Sequence, residues 1–105
     1  MKLDMNALMK QAQQMQEQML KAQEEARNQV AEASAGGGMV TAKANGAGEL
    51  VEIRIDPRAV DPDDPELLAD MVLAAANEAI RSAQALVETK LKSLLPSGFP
   101  GLPGL

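Results

Sequence analysis

Apolar positions along this chain recur with a helical period near each end and alternate with polar ones between. Met5, Leu8, Ala12, Met15, Met19, Ala22 and Ala26 follow one another at intervals of three and four, which lays them on one seam of a helix. The segment holds no Gly or Pro, and Ala, Gln, Met, Lys and Glu all favour helix. The pattern predicts a helix over about 4–29, capped by the Asp4 carboxylate at the free amides of its first turn. At ~1.5 Å per residue it would be ~39 Å long, more than a single small domain covers. Part of it must overhang or pack on another chain.

The middle of the chain reads as three short strands at about 30–34, 39–45 and 49–55. Gly36-Gly37-Gly38 and Asn45-Gly46-Ala47-Gly48 separate them as turns, the second a hairpin signal because Asn and Gly accept positive φ. In the third strand Val51, Ile53 and Ile55 share one face and Glu52 and Arg54 the other, the pattern of a half-buried strand. Asp56-Pro57 ends it. Asp64 then caps a second helix over about 65–95, with Pro65 at its first position and an apolar stripe from Leu67 to Leu94. The Pro- and Gly-rich residues 96–105 read as a flexible tail. The expectation is a single α+β domain over 1–95, ordered α-β-β-β-α, with a three-stranded antiparallel meander between two long helices. One helical layer leaves sheet or helix surface open, and a second copy covers it most simply. Met5, Leu8, Met15, Met19, Val51, Ile53 and Ile55 are the candidate core or dimer seam.

Composition narrows the chemistry. The 105 residues include no Cys, His, Trp or Tyr, and Phe99 is the one aromatic residue. Disulfides and thiolate metal sites are thereby excluded, and so is the commonest general acid–base. Gly36-Gly37-Gly38 precedes a strand, so it reads as a turn and not as a phosphate loop. Asp61, Asp63 and Asp64 lack the Gly and Glu of a calcium loop and read as caps at a helix N-terminus. No Ser sits in a nucleophile motif. The expectation is a non-enzyme with no metal and no cofactor. No apolar run is long enough for a membrane span, and the N-terminus lacks the apolar stretch of a signal peptide, so a cytoplasmic location is expected.

The net charge is −5, and its distribution matters more than its sum. Both flanks are balanced, while residues 30–66 set eight carboxylates against Lys43, Arg54 and Arg58. Lys2 and Lys10 lie toward the start of the first helix, and Arg81, Lys90 and Lys92 in the later half of the second. If these ends lie together, a dimer offers two basic tips to phosphates, away from an acidic middle.

Three segments give the chain a family resemblance: Leu8-Met9-Lys10-Gln11-Ala12-Gln13-Gln14-Met15, Val51-Glu52-Ile53-Arg54-Ile55-Asp56-Pro57 behind Asn45-Gly46, and Ala74-Ala75-Ala76-Asn77-Glu78-Ala79. In this order, over nearly the whole chain, they resemble the YbaB/EbfC family of bacterial nucleoid-associated proteins. The resemblance implies a tweezer-like α-β-β-β-α homodimer that binds duplex DNA and alters its conformation, with roles in nucleoid organisation, DNA protection and gene regulation. Lys10 lies inside the matching motif. Lys2, Arg81, Lys90 and Lys92 join it as candidate DNA contacts from charge geometry. With no aromatic platform for stacking, contacts to the duplex backbone are expected. The alternative is a protein-interaction adaptor that uses the Met-rich seam and the tail. A membrane-surface role is disfavoured, because the polar face of the first helix carries Gln rather than Lys and Arg.

Overall fold

The computed structural model describes residues 4–94. Its elements are α1 (Met5–Arg27), β1 (Val30–Ala35), β2 (Val40–Asn45), β3 (Leu50–Ile55), a short 3₁₀ turn (Pro57–Ala59) and α2 (Pro65–Lys92). This is the expected α-β-β-β-α order, with the strands arranged β1-β2-β3 as an antiparallel meander. The expected tail 96–105 and Lys2 lie outside the described residues.

Local chemistry sets the boundaries. Asp4 caps α1, its Oδ1 accepting from the amides of Asn6 (3.1 Å) and Ala7 (3.3 Å). Asp64 caps α2 through the Leu67 amide at 3.2 Å, and Pro65 takes the first helical position, where its missing N–H costs nothing. Between β2 and β3 the turn works differently from the sequence expectation. Among the described residues none other than Gly has positive φ, and Asn45 acts through its side chain, whose Oδ1 accepts from Ala47 N (3.0 Å) and Glu49 N (3.1 Å). Gly48 supplies the positive φ, at 81°. Gly46 serves close approach instead: its N–H donates to the Arg27 carbonyl at 3.0 Å, and a Cβ there would run into the carbonyl of Ala26.

α2 lies across β1 and β2 and hardly reaches β3. The core between them is Ala31, Ala42, Ala44, Ala75, Ala79 and Ala83, with Val40 the largest fully buried side chain. Ala75, Ala79 and Ala83 recur every four residues, so a smooth helix face sits close on the sheet. The candidate core or seam residues Met5, Leu8, Met15, Met19, Val51, Ile53 and Ile55 take no part in it. Small side chains won the helix–sheet contact, and most of the large ones stayed outside.

The candidate seam shows where they went. Met5, Leu8, Met15 and Met19 on α1 and Val51, Ile53 and Ile55 on β3 all remain exposed, from 38 % for Met19, Ile53 and Ile55 to 68 % for Met15. They form no core within one chain. β3 is exposed along its whole length instead of half-buried, because α2 stops short of it. On α1 only Ala22 and Ala26 are buried, where the end of the helix meets α2. Residues 5–20, ~24 Å of helix at 1.5 Å per residue, project from the domain. The molecule measures 78 × 23 × 16 Å, with a radius of gyration of 20.5 Å. A compact chain of this length would have ~13 Å.

Candidate nucleic-acid interface

The two ends of the molecule differ in charge. At one end of the sheet the Asn45–Gly48 turn meets the end of α1, through the Gly46 to Arg27 hydrogen bond. At the opposite end the chain leaves β3 into Asp56, Asp61, Asp63, Asp64 and Glu66, against Arg58 alone. The projecting arm of α1 therefore extends from the end away from these carboxylates.

Three of these acids are engaged by the fold: Asp56, Asp61 and Asp64. Asp56 accepts from Arg58 through the backbone N–H (2.9 Å), Nε (3.1 Å) and Nη2 (2.8 Å). The Arg58 side-chain hydrogen bonds, helped by the backbone one, lower the Asp56 pKa from its ordinary 3.8 to about 2. Asp61 accepts from the Asp63 amide at 2.9 Å, and Asp64 caps α2. Among the described residues no group of three or more acidic residues is placed to hold a metal ion.

The candidate cations fall into three places. Lys10 stands exposed on the α1 arm. Lys90 lies beside the other end of α1, its Nζ 3.3 Å from Glu25, and Lys92 closes α2 two residues later. Fifteen residues of helix separate Glu25 from Lys10, ~22 Å. Arg81 lies nine residues back along α2, ~14 Å from Lys90. The structure thus brings Lys90 and Lys92 together and leaves Lys10 and Arg81 apart from them.

Partners separate the candidates further. Arg81 donates to Glu78 through Nε (3.2 Å) and Nη2 (2.6 Å), and Lys90 pairs with Glu25. On the sheet Lys43 and Arg54 share Glu52, at 3.4 and 3.3 Å. Among the described residues the cations outside any ion pair are Lys10, Lys21, Arg27 and Lys92. Lys21 and Arg27 were not among the sequence candidates. A signal for Lys21 was available: it follows Lys10 by eleven residues, three helical turns, so both occupy one face of α1. That face is opposite the Met5–Met19 seam.

Beside this geometry stand three comparisons. The model of the YbaB/EbfC DNA-binding family matches residues 1–99. A protein of Acetivibrio thermocellus named "Nucleoid-associated protein" is 49 % identical over 102 residues, covering 97 % of this chain and 89 % of the relative. One of Rhodococcus erythropolis with the same name is 48 % identical over 104 residues, covering 96 % and 93 %. The crystal structure of an uncharacterized Helicobacter pylori protein superposes with a TM-score of 0.69 at 23 % identity, covering 90 % of this chain and all of that one. That likeness concerns the fold.

Proposed function

The chain belongs to the YbaB/EbfC DNA-binding family, and we propose that it acts as a nucleoid-associated protein that binds duplex DNA as a homodimer. The observation that carries this reading is the α1 arm: it projects from the domain, away from the acidic end, with unpaired Lys10 and Lys21 on one face. Cations that give up no ion pair meet phosphates at least cost, which ranks Lys10 and Lys92 first among the candidates and adds Lys21 and Arg27. Arg81 and Lys90 must first release Glu78 and Glu25. Lys2 completes the set at the start of the chain. Contacts to the backbone position the protein without reading bases, while the Gln residues of α1 add uncharged donors and acceptors. Nothing in this role requires a cofactor, a small-molecule substrate or a reaction, and the place of action is the nucleoid.

The exposed apolar side chains support the homodimer. A core of Ala and one Val buries little apolar area, whereas Met5, Leu8, Met15, Val51, Ile53 and Ile55 lie on the surface. The test is fluorescence anisotropy of a labelled duplex across a salt series, beside sedimentation for the assembly state. Binding that falls steeply with salt supports phosphate contacts, with a slope of about 0.9 per neutralised phosphate on logarithmic axes. Absence of binding at low salt by a dimeric protein overturns the reading. It would leave the adaptor role, which the exposed Met seam favours and which requires binding insensitive to salt.

A further inference from the structure

We propose that residues 95–105 dock along the apolar seam of their own α1 arm, continuing the contact that α2 makes with α1. The occupant of the exposed seam is thus a segment of the same chain.

The direction of the helices points the chain there. Gly46 lies between them: a Cβ on it would strike both the Ala26 carbonyl and a methyl of Val87. Three residues further along α2, Lys90 Nζ stands 3.3 Å from Glu25. On α1 burial moves back from Ala26 to Ala22, and α2 is the element packed there. The helices are therefore antiparallel. α2 ends at Lys92, while α1 runs on past that end toward Met5. The chain leaves α2 heading along the arm.

The surface ahead of it is a continuation of the same seam. Ala22 and Ala26, which meet α2, belong to the 3–4 series that includes Met5, Leu8, Met15 and Met19. Helix covers the last part of this series and then stops, and Pro96 opposes any longer α2. From Met19 to Met5 the uncovered arm measures ~21 Å at 1.5 Å per residue. Residues 95–105, at ~3.3 Å each when extended, reach ~36 Å and so span it with slack.

The chemistry of the two surfaces agrees. Residues 93–105 form the longest run in the chain without a charge, and they carry Leu95, Phe99, Leu102 and Leu105. The seam is flanked by Gln11, Gln16 and Gln18, while Lys10, Glu17 and Lys21 lie on the opposite face of the helix. Docking therefore buries apolar surface without stripping water from a charge. Methionine side chains adapt to an irregular partner rich in Pro and Gly. Tethering favours this occupant over a separate molecule, because a short linker holds it at an effective concentration near ~1 mM. The Lys10 and Lys21 face stays open to a duplex, and the exposed β3 side chains stay open to a second copy. Neither event is required for the docking.

Phe99 provides the test. It is the one aromatic residue of the chain, so a ring-current shift on a methionine methyl reports where its ring sits. In the full-length protein with isotope-labelled methionine methyls, Phe99→Leu is expected to move the NMR signal of Met15 and of Met5 or Met19. Met39 and Met71, which lie in the domain, are expected to keep theirs. Leu102→Asp retains the ring but weakens the docking, and is expected to move the same arm signals in the same direction. Unmoved arm methyls in both variants, or shifts confined to Met39 and Met71, overturn the proposal. Labelled Phe99→Leu chains re-equilibrated with unlabelled wild type are expected to keep the variant positions, since each segment serves its own arm. Return of the arm methyls to wild-type positions in that mixture means that the segment crosses to a second copy, and overturns docking within one chain.

Discussion

Two helices of this chain carry long apolar stripes, and only one stripe is buried by the fold. The middle of α2 is lined with Ala75, Ala79 and Ala83 and rests on a sheet face that is itself Ala31, Ala42 and Ala44. The first four turns of α1 carry Met5, Leu8, Met15 and Met19 and stand clear of the sheet, exposed to solvent. The difference teaches that apolar period alone does not name a covering. Period 3.6 says that one face avoids water, while side-chain size decides what fits against it. Ala on both sides allows a close helix–sheet contact. Met on α1 suits a looser surface that adapts to a partner.

The largest expected effect tests the tight half of this contrast. Ala79 is fully buried, and Ala79→Leu drives three heavy atoms into a helix–sheet contact without slack. A loss of about 2–3 kcal/mol is expected, read as a lower midpoint in urea at constant slope. The same measurement on Met15→Ala probes the loose half. Met15 is 68 % exposed in the chain, so the folding stability of the protomer should move by less than about 0.5 kcal/mol. Equal losses at the two positions would mean that the arm is packed as tightly as the sheet. The difference between the helices would then disappear.

Charge provides the next step. Lys10→Gln with Lys21→Gln is expected to weaken duplex binding roughly tenfold at low salt, and to flatten the salt slope by about 0.9 for each phosphate that is no longer neutralised. Arg81→Gln, whose guanidinium is already engaged by Glu78, is expected to change the slope far less. Helicity and sedimentation serve as controls in each case. If Arg81→Gln flattens the slope more than the double arm variant does, the interface lies along α2 and not on the projecting arm.

The sequence disclosed the topology because each element carries its own local signal: the 3–4 spacing of α1, the alternation of Val51 to Ile55, the Asp64-Pro65 start of α2. It did not disclose which apolar residues are core. Alternation places Val51, Ile53 and Ile55 on one face but carries no information on how far α2 extends across the sheet. The cation set was legible only in part for the same reason. Lys90 finds Glu25 across a tertiary contact, which removes it from the unpaired set, and no spacing in either helix encodes that meeting. The eleven-residue step from Lys10 to Lys21 is local and was there to be read.

The smallest expected effect contrasts the acidic end with the arm, because charge serves the fold at one and stays free at the other. Asp56 holds Arg58 through three hydrogen bonds and titrates at about 2 instead of 3.8. A carboxyl whose folded pKa is lowered stabilises the fold above its unfolded pKa, and loses that contribution as the pH falls through the folded value. The window here runs from about 3.8 down to about 2. Both side chains reach solvent, so the contribution to stability is small, and site-resolved titration is the sensitive measurement. In carboxyl NMR the Asp56 midpoint is expected near 2, and Arg58→Gln should move it up toward 3.8. The rise should be incomplete, because the backbone N–H of residue 58 still donates to Oδ1. A midpoint near 3.8 in the unaltered protein would mean that Asp56 does not hold Arg58 in solution. Arg58 would then join the unpaired cations, and the charge contrast between the two ends would weaken.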